Sequence, residues 1–240
     1  MANWMIELGG ERFDLQELIR IKSLPDIQVL EEDGRFYLTG SDFNSFIEAR
    51  DVLTHARDTL RIINGIAQLE IQNWENVEVI GVARNEDNGT RTQFLFPAAI
   101  RGRSRMSGNL TIIGPDGVPK SATQKYALEG FLEIARKDSR VEKALRIYGS
   151  REHSWSNLYI IYEIIEADVG GKTQIISRGW ATSKRIDLFK RTSNSVTATG
   201  DDARHGKEST QPPPTPMQLF QANEMMERML KEWLRTKLDR

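Results

Sequence analysis

The chain has 240 residues, 39% of them hydrophobic and 28% charged, and no cysteine. That composition suits a folded chain long enough for two cores, and it excludes disulfides, thiolate chemistry and cysteine-ligated zinc. The net charge of −1 hides an asymmetry: residues 1–118 hold 12 basic and 18 acidic side chains, net −6, and residues 119–240 hold 21 and 16, net +5.

Residues 3–8 read as a strand, and a short amphipathic helix follows from about Asp14. Ile27-Gln28-Val29-Leu30 and Phe36-Tyr37-Leu38 flank Asp33-Gly34, a dipeptide that accepts the positive φ angles of a tight hairpin turn. A long helix is expected over 45–66, opened by a Ser45/Glu48 capping box. Phe46, Ala49, Leu53, Ala56, Leu60 and Ile63 form its apolar stripe, laid across a sheet. His55 falls beside the stripe and is expected to be exposed. Strand-like runs follow at 77–83, 91–98 and 109–113, with a turn at Asp87-Asn88-Gly89. The basic string Arg101-Gly102-Arg103-Ser104-Arg105 reads either as a phosphate contact or as a solvated loop.

From Ser121 the periodicity turns helical. Ser121/Gln124 and Ser139/Glu142 have capping-box spacing, a third helix starts near Ser154 and stops at Gly170-Gly171, and a fourth is expected over 174–193. The last helix is expected to open at Thr215-Pro216 with Gln218 completing a box, and to bury Met226, Met229, Leu230 and Trp233. The fold class implied is α+β: an N-terminal antiparallel sheet with one long helix over 1–118, and an all-helical bundle over 119–240.

No stretch reaches the roughly 18 apolar residues of a membrane span. The N-terminus, Met1-Ala2-Asn3-Trp4, has no signal-peptide pattern, so a cytoplasmic location is expected. There is no phosphate loop, dinucleotide fingerprint or metal-ligand cluster, so no cofactor or metal is expected.

The feature best suited to chemistry lies in the polar loop 194–214, which ends in Gln211-Pro212-Pro213-Pro214. Arg204-His205-Gly206 joins a guanidinium that can hold a phosphate, an imidazole that can move a proton, and a glycine that lets a ligand approach. Arg191 and Asn194 stand at the end of the preceding helix, and Asp201 and Asp202 are close by in sequence. The alternative reading is structural, with these side chains binding helix-end carbonyls. His153, just before a helix, is read as structural or exposed.

The order of helices over roughly 120–238, the segment Phe189-Lys190-Arg191-Thr192-Ser193-Asn194 and the Arg204-His205-Gly206 turn resemble the HEPN domains, small helical bundles common in bacterial ribonucleases, toxins and antiviral systems. Catalytic members of that family place a histidine about five to seven positions after an arginine and cleave RNA without metal at a shared dimer interface. Here Arg204 adjoins His205, and Arg191 lies fourteen positions before it. The resemblance implies a homodimeric, metal-independent endoribonuclease of a defence or toxin type. Arg204 and His205 would then be catalytic, with Arg191 and Asn194 holding the RNA. The rival expectation is a non-catalytic dimeric binding or regulatory protein whose N-terminal half takes a ligand or partner.

Overall fold

A computed structural model describes residues 3–20, 26–86, 89–94, 128–150, 153–204 and 211–238. It has the expected α+β architecture. Five antiparallel strands, β1 (Asn3–Gly9), β2 (Gln28–Glu32), β3 (Arg35–Thr39), β4 (Glu78–Asn85) and β5 (Arg91–Phe94), pair in the order β2-β3-β1-β4-β5. The β2–β3 hairpin turns through Asp33 (φ 51°) and Gly34 (φ 76°), the two left-handed residues that the dipeptide was expected to supply. Helix α1 (Arg12–Arg20) leads from β1 toward the hairpin. The expected strand at 109–113, the basic string 101–105, the Ser121/Gln124 cap and the boundary at 118/119 all lie outside the described residues.

Alternation along β1 sends Trp4, Ile6 and Leu8 into the main core, where the long helix α2 (Ala49–Glu70) lies against the sheet. This helix starts four residues later than expected and ends four later. The Ser45/Glu48 box does not form: Glu48 is the cap residue and makes no side-chain cap bond. The Trp4 indole N–H instead donates to the Phe46 carbonyl at 3.0 Å, tying the segment before α2 to the sheet. His55 is half-buried rather than exposed, with Phe43 and Phe46 rings 5.5 and 5.0 Å away.

The second half is a bundle of α3 (Leu128–Lys137), α4 (Ser139–Tyr148), α5 (Trp155–Val169), α6 (Lys172–Ser177), α7 (Ser183–Ser193), the single turn α8 (Val196–Thr199) and α9 (Leu219–Leu238). Three boundaries differ from the sequence reading. Helix α4 is capped by Asp138, whose carboxylate accepts from the Arg140 and Val141 N–H groups, so Ser139 is already inside the helix. The helix expected over 174–193 is two, because Gly179 at φ 70° ends α6 and Thr182 caps α7 afresh. Helix α9 starts at Leu219, not at Thr215: the Gln221 side chain reaches back to the Gln218 N–H at 3.0 Å, so the box sits three residues further on.

Helix α2 is buried on two sides. One side faces the sheet and the other meets α4, where Gly65 and Gly149 bring the two backbones together. A methyl group on Gly65 would lie 2.3 Å from the Leu145 carbonyl oxygen. The hydrophobic core therefore runs unbroken from the sheet through α2 into the bundle, where Met226, Met229, Leu230 and Trp233 are fully buried as expected. Among the described residues no helix is long and apolar enough to cross a membrane.

Candidate functional site

Two places merit a chemical reading. The first holds the residues singled out in the sequence. Helix α7 packs its Phe189 against Tyr159 of α5, rings 5.7 Å apart. Beyond α7 the chain folds back so that the Arg204 N–H donates to the Ser193 carbonyl at 2.9 Å. The loop then follows one stripe of α5: the Ser156 hydroxyl donates to the Asp202 carbonyl, and the Arg204 guanidinium lies 4.0 Å over the Tyr159 ring and 2.6 Å from Glu163. Its charge is thus already matched by a carboxylate and an aromatic face. Arg191 points another way, donating to the carbonyls of Gln211 and Pro212 and holding the proline-rich strap along α7. Asn194 donates to the Lys190 carbonyl at 2.8 Å, while its Oδ1 and the Ser195 hydroxyl are buried without a hydrogen-bond partner.

The structure therefore brings the Arg204 backbone against Ser193, next to Asn194 in the chain, but sends the Asn194 side chain to Lys190, the Arg204 guanidinium to α5 and the Arg191 guanidinium to the strap. His205 and Gly206 lie outside the described residues. Asp202 meets α5 through its carbonyl. Glu163 also borders a groove of about 560 Å³ between α4 and α5, which carries Arg140, Lys143 and Arg146.

The second place was not legible in the sequence. A cleft of about 1140 Å³ opens where the loop after α2 meets the end of α4 and the Asn223-to-Lys231 stretch of α9, with Phe13 of α1 among its lining residues. Its first wall is built by buried Asn64, whose amide donates to the Val77 carbonyl while its Oδ1 accepts from the Trp74 indole and the Val77 N–H. The Glu75 N–H donates to Asp14, and the Asn76 amide donates to the Gly149 carbonyl while accepting from Gln68. These bonds fix a segment that has no regular structure of its own. Burial, opposed by the Glu75 N–H bond, raises the Asp14 pKa to about 6.

The opposite wall comes from α9, whose Asn223, Glu227 and Lys231 recur every four residues and so share a face. Lys231 is drawn to the first wall, to the Leu69 carbonyl at 2.8 Å and Glu70 at 3.2 Å. Burial raises the Glu227 pKa, although Lys231 and His153 oppose it. Asn223 Oδ1 is buried without a partner. His153 stacks on Tyr148 at 4.5 Å, and its Nε2 lies 2.7 Å from the Tyr148 carbonyl. Since a carbonyl only accepts, Nε2 carries the proton and Nδ1 is left as an acceptor in the neutral ring. Burial first and the Glu227 charge second keep the Tyr148 phenol protonated. The cleft is larger than most drug-sized pockets, and most of its lining side chains are polar. His153, read in sequence as structural or exposed, is half-buried in its wall.

Among the described residues no group of three or more histidines and carboxylates is placed to hold a metal ion. No protein-family model, curated protein or solved structure matches the chain.

Proposed function

We propose that this protein is a binding or regulatory protein whose ligand enters the cleft between the sheet-bearing part and the helical bundle. The observation that carries the reading is the cleft of about 1140 Å³ itself, whose first wall is held in place by the hydrogen bonds of Asn64 and Asn76 and whose other wall carries Asn223, Glu227 and Lys231. Both described arginines of the sequence-predicted site are, by contrast, engaged with protein partners. The test is a thermal-shift screen of small metabolites. A ligand at about 100 times its Kd adds about 2.7 kcal/mol, or roughly 5–10 °C for a chain of this size. Hits should vanish in Asn223→Leu. A broad screen with no hit, or hits indifferent to that change, refutes the reading.

A second reading keeps the HEPN-like, metal-independent endoribonuclease, acting as a homodimer of the helical part. The observation favouring it is the pair of unpartnered polar atoms, Asn194 Oδ1 and Ser195 Oγ, which follow Ser193, whose carbonyl takes the N–H of Arg204, the residue directly before His205 in the chain. In this reading His205 transfers the proton of a ribose 2′-hydroxyl, Arg204 stabilises the phosphate charge, and Asn194 and Arg191 position the strand. Labelled RNA should be cut in chelator while DNA of the same sequence survives. His205→Ala should slow the reaction by roughly two to four orders of magnitude. A full chain that stays monomeric by light scattering, or RNA left intact, removes this reading.

A further inference from the structure

Apolar residues fall on more than one side of α5. Leu158, Ile161, Tyr162 and Ile165 are buried in the core, while Ile160, Ile164 and Ala167 form a second stripe at i, i+4 and i+7. That stripe lines the groove between α4 and α5, where Ile160 and Ile164 are only half-buried and Ala167 is exposed. The groove, about 560 Å³, falls within the range of about 300–1,000 Å³ usual for small-molecule sites, and it shares no lining residue with the cleft.

The charges along the groove do not cancel. Arg140 is matched by Asp168 at 3.0 Å, and Glu163 by Arg204 at 2.6 Å. Arg146 is held only by Glu142, 3.7 Å away and beyond hydrogen-bond length, and its side chain is 37% exposed. Lys143 is exposed and has no ion pair or hydrogen bond among the described residues. Its helical neighbours three and four positions away are Ser139, Arg140, Arg146 and Ile147, none of them acidic. One positive charge is therefore left over beside an uncovered apolar stripe. A second copy packed here about a two-fold axis would set Lys143 and Arg146 near their own counterparts. A phosphate would bring a second negative charge with no match. We infer that the groove binds a small amphipathic monocarboxylate, its hydrocarbon body on Ile160, Ile164 and Ala167 and its carboxylate on Lys143 and Arg146.

Butanoate, hexanoate and octanoate are the probes, titrated calorimetrically into the full chain, with octylamine and inorganic phosphate as comparators. Octanoate should bind with a Kd below about 1 mM, and affinity should rise about twofold or more with each methylene. Lys143→Gln and Ile160→Gln should each weaken octanoate roughly threefold or more while keeping the parent's melting temperature, and Lys143→Arg should retain it. Octanoate that fails to bind, or that binds equally well to either glutamine variant, overturns the inference. So does octylamine or phosphate binding as tightly as octanoate. If Asn223→Leu abolishes octanoate binding and Lys143→Gln does not, the ligand sits in the cleft and the groove is no site. If Ile160→Gln turns a dimer into a monomer by light scattering, a second copy covers the stripe and the inference fails.

Discussion

The crossing of α2 and α4 makes a quantitative prediction. In an exposed helix, Gly→Ala is stabilising by about 1 kcal/mol. At Gly65 the new methyl would sit 2.3 Å from the Leu145 carbonyl oxygen, a backbone atom that cannot rotate away. An ordinary carbon–oxygen approach is about 3.3 Å, so α4 must retreat by roughly 1 Å. Val141, Ala144, Leu145 and Tyr148, all buried, would lose their fit as it does. Overpacking of this kind costs about 1–3 kcal/mol, and the helix-propensity gain offsets part of it. Gly65→Ala should therefore lose up to about 2 kcal/mol, or up to roughly 8 °C in Tm. Gly149→Ala should lose about 3 kcal/mol, since its methyl would lie 1.8 Å from the Arg61 carbonyl oxygen and it follows the last residue of α4, where no propensity gain applies. Gly81→Ala on β4, whose nearest contact is 3.4 Å to a side-chain atom, should stay within about 0.5 kcal/mol and serves as the control. Urea unfolding of the three variants reads these values. If Gly65→Ala is more stable than the parent, the close crossing does not exist and the two parts do not share a core.

Asp14 should titrate against stability. Its pKa is raised to about 6, so the folded state holds the proton more tightly than the unfolded chain and stability falls as pH rises from about 4 to 6. Asp14→Asn, which still accepts from the Glu75 N–H, should gain up to about 3 kcal/mol at pH 8 and little at pH 4. An equal effect at both pH values refutes the cause. Asp168 behaves oppositely: burial works against its charge, but bonds from Lys237, the Trp233 indole and Arg140 prevail and lower its pKa. Its stabilisation is present above the ordinary carboxylate range and is lost as pH falls through the lowered value. Asp168→Ala should cost about 3 kcal/mol in urea unfolding near neutral pH. Limited proteolysis should cut within 114–121, and because α2 and α4 pack together the two pieces should still co-elute. Pieces that separate on a sizing column refute that.

Elements whose signals were local could be read in advance. Asp33-Gly34 specified its turn because both residues tolerate positive φ, and Ser154 capped α5 because a hydroxyl before an apolar run has few other uses. The capping-box pattern misled at Ser45, Ser139 and Thr215, since it describes a possible hydrogen bond and not the competition for it. Asp138 takes the cap of α4, and Trp4 holds the chain before α2. Gly179 was not seen as a breaker because apolar residues continue on both sides of it. The cleft is assembled from α1, the loop after α2, the end of α4, His153 and α9. No spacing along the chain encodes it. Only the recurrence of Asn223, Glu227 and Lys231 on one helical face could have drawn attention, and it looks like any solvated stripe.

Arg204 arrives at any encounter with an anion already carrying a counter-ion. A phosphate approaching it must displace Glu163, so binding there is an ion exchange and not the filling of a bare charge. The displaced carboxylate would not be stranded, because it borders the groove where Arg140, Lys143 and Arg146 offer other partners. Such an exchange releases fewer salt ions than a naked guanidinium would. Any polyanion held at this end of α5 should therefore show a salt dependence shallower than its number of phosphate contacts implies.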